Sequence, residues 1–143
     1  MKRLTGGEMA EEIDLNSLAE KESLVKDLGI EYAETEPDRV VMKMPVDERH
    51  VQPMGFLHGG ASVVLAETVA TVGAWLNCPE GKTAFGTEIN ASHLRPKREG
   101  TLTAVGKPVS VGSTNQVWEV QIRDEDDKPV CVSRCRLAVV DAR

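Results

Sequence analysis

Residues 58–77 read HGGASVVLAETVATVGAWLN, and this run decides the fold. Small or apolar residues occupy almost every position, and a helix that is apolar on all its faces belongs inside a core. A carboxylate, Glu67, stands near its middle and hydroxyls punctuate it, so the run is a core helix rather than a membrane span. Cys78-Pro79-Glu80-Gly81 supplies the stop.

Downstream, the pattern changes to long strands. Segments 85–96, 101–111, 114–124 and 130–140 are rich in Val, Thr and Ile with alternating polar positions. Trp118, Val120 and Ile122 share one side of the third; Cys131, Ser133, Cys135, Leu137 and Val139 share one side of the last. The junctions Lys97-Arg98-Glu99-Gly100, Gly112-Ser113 and Glu125 to Pro129 are turn-like, and such short connections predict an antiparallel meander of sequence neighbours. Upstream, Ser17 reads as a helix N-cap with Glu20 completing a capping box. Leu18, Leu24, Val25 and Leu28 would form the apolar face of that helix, with Gly29 as its stop. Strands at 30–36 and 39–45, around a Pro37-Asp38 turn, lead into a loop from Asp47 to Gly55. Residues 1–16, polar and acidic with two adjacent glycines, are expected to fray, leaving one domain over 17–143. The fold class is α+β: an antiparallel sheet curled around one long buried helix.

Composition narrows the function. With 143 residues the chain suits a single core, and a net charge of −6 exerts no global pull on nucleic acid. Three cysteines without a CxxC pair suggest neither a disulfide framework nor a zinc knuckle. His50, His58 and His93 lack metal-ligand spacing, so neither a metal nor a separate cofactor is expected. The beginning, MKRLTGGE, has no apolar signal core; a reducing cytoplasm fits best.

Glu67 is the anomaly. Burying a carboxylate costs several kcal/mol unless it is paired. It therefore either faces a cleft, pairs with a basic residue such as Arg95, or is held against a substrate as general base or nucleophile. Just upstream lies QPMGFLHGG, Gln52 to Gly60. Glycines at a helix start let a ligand approach bare backbone, and the first N–H groups there can stabilise a carbonyl oxygen that turns negative during acyl transfer. A Gly-Gly pair alone is as well explained by a tight loop-to-helix entry. Gly59 and Glu67 are about 12 Å apart along one helix axis, too far to share a carbonyl easily within one chain. Two such helices antiparallel across a two-fold axis would join Gly59 of one copy to Glu67 of the other, so an active site here implies at least a dimer.

The combination of QPMGFL, HGGASVVLAETVAT, FGTEINASHLRPKREG and VGSTNQVWEV closely resembles the hotdog-fold acyl-CoA thioesterases. The similarity is to the branch with a helix glutamate, which holds a 4-hydroxybenzoyl-CoA thioesterase, the PaaI-type enzymes and 1,4-dihydroxy-2-naphthoyl-CoA thioesterases. It extends over roughly residues 17–140. By position it implies Glu67 as the catalytic carboxylate and Gly59 as the N–H that polarises the thioester carbonyl. It further implies Gln52 as a binder of that region, His58 as the histidine that orients it, and Thr71 as a hydroxyl that positions water. Gly86, the run His93, Leu94, Arg95 and Pro96, and the turn Ser110, Val111, Gly112, Ser113, Thr114 and Asn115 match segments facing coenzyme A. Arg95, Lys97 and Arg98 cluster where phosphates could be met, although a solvated loop explains Lys97 and Arg98 equally well. Met54, Phe56, Leu57 and Trp75 suit an apolar acyl group or plain core. An aryl-CoA is the first expectation for the substrate and a medium-chain fatty acyl-CoA the second; assembly as a tetramer of paired dimers is expected from the branch.

Competing chemistries fit less well. A serine-hydrolase elbow needs GxSxG, and Gly60-Ala61-Ser62-Val63-Val64 lacks the last glycine. Cys78 before Pro79 reads as an inert helix-end thiol. A hotdog dehydratase would show a His-Phe-Pro-Gly entry, which is absent. The alternative from another class is a hotdog protein that binds acyl-CoA without turning it over, as a sensor or structural subunit.

Overall fold

The computed structural model describes residues 3–4 and 13–143. A short pair, β1 (Arg3–Leu4) with β2 (Ile13–Asp14), precedes two one-turn helices, α1 (Leu15–Glu20) and α2 (Leu24–Asp27). Then follow β3 (Glu31–Glu36), β4 (Arg39–Val46), the long α3 (Gly59–Leu76), β5 (Lys82–His93), β6 (Gly100–Val111), β7 (Asn115–Arg123) and β8 (Pro129–Asp141). The six long strands form one antiparallel sheet that packs around α3, as the apolar circumference of that helix requires.

Four of the long strands, β4, β6, β7 and β8, turn alternate residues inward. Val40, Met42, Met44 and Val46 of β4, Leu102 and Ala104 of β6, Trp118, Val120 and Ile122 of β7, and Cys131, Cys135 and Leu137 of β8 are buried against Leu65, Ala66, Val69 and Ala70 of α3. Two glycines make the close approach possible. A methyl on Gly73 would run into the Trp118 indole, and one on Gly106 into Val69. The indole N–H donates to Gln116 Oε1 at 2.9 Å, and the Gln116 amide donates to the Ala74 carbonyl at 3.1 Å. With Asn77 Nδ2 on the Gly73 carbonyl at 2.8 Å, these bonds satisfy two of the carbonyls in the last turn of α3, those of Gly73 and Ala74.

Two expectations are corrected. The strand order is β3-β4-β6-β7-β8-β5, so β5 lies at the far edge beside β8 and is not the neighbour of β6. Crossing from β5 to β6 spans three strand spacings, about 14 Å, and residues 94–99 can stretch further than that. Leu94 N–H on the Val130 carbonyl and Leu57 N–H on the Lys97 carbonyl hold the crossing down. The single helix capped by Ser17 is two helices instead: Ser17 lies within α1, and Ser23, extended at φ −167°, caps α2 by accepting from Lys26 N–H at 3.2 Å. Leu24 accordingly points outward, 57% exposed, where an unbroken helix would have turned it to the core. Gly29, at φ +68°, does stop the segment. Of the tail expected to fray, residues 1–2 and 5–12 lie outside the described residues, while Leu15 is fully buried at the start of α1.

Candidate active site

His58 caps α3: its Nδ1 accepts from Gly60 N–H at 2.8 Å, and its carbonyl accepts from Ala61 N–H. The remaining donor of this first turn, Gly59 N–H, has no partner among the described residues. It borders a cavity of about 490 Å³ whose walls include Gln52, Phe56, Leu57, Ser62, His93, Leu94, Arg95 and Pro96. Gln52 is held for this place by its own loop, its side-chain oxygen accepting from Met54 N–H and its backbone bonding Phe56 and Gly55. The ring of His93 lies against the missing side chain of Gly59; a methyl there would sit 2.6 Å from His93 Nε2. Arg98 stacks on Phe56, 4.0 Å from the ring centroid.

The loop behind this cavity is fixed from two sides. His50, fully buried, bonds the Leu28 carbonyl through Nε2 at 2.7 Å and accepts from Asp47 N–H through Nδ1, tying the loop to the end of α2. Lys97 meets Glu125 at 2.8 Å and Asp124 at 3.6 Å, fastening the crossing segment to the β7–β8 turn. These contacts hold both carboxyls below their usual range and raise the lysine; for Asp124 the first cause is the N–H bond from Lys128.

Glu67 occupies a second cavity, of about 420 Å³, with Thr68, Thr71, Val64 and Trp75 of α3, Tyr32 of β3, and Leu18 to Val25 of the α1–α2 segment. This face of α3 is half-buried rather than buried. Arg95 borders the other cavity, and Glu67 has no hydrogen bond or ion pair among the described residues. Its carboxylate lies directly beneath Gly86 of β5, where a side chain would displace it. Beside it, the Cys135 thiol is pushed up to about 12 by burial and by the Glu67 charge. Burial raises Cys78 and Cys131 as well, so the thiolate that a cysteine nucleophile needs is disfavoured in all three.

The expected site residues thus fall into three groups. Gln52, His58, Gly59, His93, Leu94, Arg95 and Pro96 gather at the start of α3; Glu67, Thr71 and Gly86 meet in its middle. Ser110 to Asn115 form the exposed β6–β7 turn at the other end of the sheet, where Asn115 shares a row with Ala138 and Phe85. The four apolar acyl candidates separate too: Phe56 and Leu57 border the Gly59 cavity, Trp75 the Glu67 cavity, and Met54 is 75% exposed. Two contributors escaped the sequence reading. Ser62, fully buried in the wall of the Gly59 cavity, was legible as the i+3 neighbour of Gly59. The α1–α2 segment over Glu67 gave no signal, because its place depends on where the chain breaks.

Residues 54–131 match the model of the thioesterase superfamily. The chain is 44% identical over 127 residues to the 1,4-dihydroxy-2-naphthoyl-CoA hydrolase of Escherichia coli, covering 88% of this chain and 92% of that one. It is 43% identical over 118 residues to the proofreading thioesterase EntH of Cronobacter turicensis, covering 82% and 86%. The crystal structure of a thioesterase from Haemophilus influenzae superposes with a TM-score of 0.84 at 47% identity, covering 89% of this chain and 88% of that one.

Proposed function

The chain belongs to the thioesterase superfamily, and from that premise we propose that it hydrolyses an acyl-CoA thioester, foremost an aryl-CoA, to the free acid and coenzyme A. The observation that carries this reading is a carboxylate with no partner among the described residues, in the middle of the core helix, facing a cavity of about 420 Å³ walled largely by apolar side chains. A cavity of that size and character takes a ring or a short chain.

Gly59 N–H and the positive end of α3 hold the carbonyl oxygen and stabilise the charge that develops on it. Glu67 then acts by one of two routes. As nucleophile, a carboxylate oxygen attacks the carbonyl carbon, the C–S bond breaks, and water cleaves the resulting anhydride. As base, it takes a proton from the attacking water and delivers it to the departing sulfur. Thr71, one turn on, orients that water; Gln52 and His58 fix the loop and the helix start. Arg95 and its neighbours, with the β6–β7 turn, meet the coenzyme A.

Gly59 and Glu67 open into different cavities, which supports a site completed by a second copy. β5, with 12 residues and its outer edge unpaired among the described residues, is the element on which that copy would add. A homodimer is the minimum working unit, two of which pair as a tetramer, and three free thiols suit a cytoplasmic protein.

The test is release of free thiol from aryl- and fatty-acyl-CoA esters by wild type beside Glu67→Gln. Loss of kcat by ~10²–10⁴ in the variant is expected. Equal turnover in a folded Glu67→Gln protein removes Glu67 from the chemistry, and binding of every ester with no turnover favours a sensor.

A further inference from the structure

Ser62 lies in α3 one turn beyond Gly59, and its hydroxyl is fully buried with no hydrogen-bond partner among the described residues. Thr68, on the same helix, shows the ordinary solution: its hydroxyl donates back to the Val64 carbonyl at 2.7 Å. Ser62 makes no such bond to the His58 carbonyl four residues back. A buried hydroxyl without a partner is costly, and alanine would fill the place more cheaply. The Cα–Cβ bond of a helical residue tilts toward the N-terminus, so a short side chain at Ser62 lies over the turn that begins at Gly59. Ser62 also borders the same 490 Å³ cavity as Gly59, Gln52 and His93.

We propose, on the thioesterase reading above, that the Ser62 hydroxyl is a second hydrogen-bond donor to the thioester carbonyl oxygen, beside Gly59 N–H. The oxygen supplies the acceptor that the folded chain withholds, and it binds more strongly as it gains negative charge. Ser62 is then a catalytic residue whose cost to stability is recovered only in the complex.

Ser62→Ala and Ser62→Cys, near-isosteric with a weak donor, test this against wild type. Turnover is read by thiol release, stability by thermal unfolding, and binding by a ketone analogue of benzoyl-CoA with a methylene between sulfur and carbonyl. Loss of one oxyanion donor costs on the order of 10²–10³ in kcat. With Gly59 N–H retained, Ser62→Ala should lose about 10–100-fold in kcat with KM changed less than threefold, the ketone should bind more weakly, and Tm should hold or rise. Ser62→Cys should fall between. Turnover within twofold of wild type overturns the proposal, as does a fall in Tm that accompanies the loss of rate, since that marks a structural hydroxyl. If wild type cleaves no ester, the thioesterase reading fails by itself, and ketone affinity then judges Ser62: weaker binding by Ser62→Ala upholds the donor, equal binding refutes it.

Discussion

Gly86→Ala isolates the position of Glu67 from its presence. Gly86 has no left-handed φ, so alanine can adopt its backbone without strain. The added carbon would lie 3.3 Å from Glu67 Cδ and 3.7 Å from Cγ, and on top of Oε1. The obstacle is the end of a flexible side chain, so the carboxylate gives way rather than the strand. Restoring an ordinary contact of ~3.5 Å moves the oxygen by about 1 Å. Displacement of that size in a reacting group costs ~10² in rate. Because the glutamate swings into an open cavity, stability should change by no more than ~0.5 kcal/mol. The assay is steady-state thiol release with thermal unfolding in parallel. The expected result is kcat down about 100-fold at nearly unchanged Tm. A rise in KM with kcat intact would instead make Gly86 a binding contact for coenzyme A, and would refute the claim that it sets the place of Glu67.

Two further outcomes follow from the fold. Gly73→Ala would set a methyl 2.6 Å from Cζ2 and Cζ3 of the buried Trp118 indole, and overpacking of this kind costs ~1–3 kcal/mol; chemical denaturation with an unchanged midpoint would contradict the helix–sheet contact described. Lys97→Met should loosen the crossing loop in acid. Asp124 and Glu125 have folded pKa values below their ordinary ones, so their stabilisation is present above the ordinary carboxylate range and is lost as pH falls through the depressed values. Without the lysine those values rise, and acid unfolding should begin at a higher pH; superimposable acid-unfolding curves would argue against the bridge.

Much of this was legible in one dimension. The apolar circumference of 58–77 required burial, and the strand-like segments on either side of it were the covering available. Alternation placed Trp118, Val120 and Ile122 on the inner face correctly, because that pattern is local. Glu67 stood out for the same reason: a carboxylate amid apolar neighbours is an anomaly visible without coordinates. Gly59 and the QPMGFLHGG entry were equally plain.

Tertiary structure decided what local pattern does not encode. The place of β5 at the sheet edge follows from a crossing that skips two strands, and chain length permits that route and the neighbouring one alike. The break between α1 and α2 turned Leu24 outward and laid residues 18–25 over Glu67, an outcome set by competition between a one-turn helix and a serine cap of similar worth. The separation of Gly59 from Glu67 into two cavities depends on which face of α3 the sheet covers. Composition and periodicity dictated which residues must be inside and which carboxylate is out of place among them. Only the folded chain settled what lies against each of them, because packing is a relation between segments far apart in sequence and periodicity describes one segment at a time.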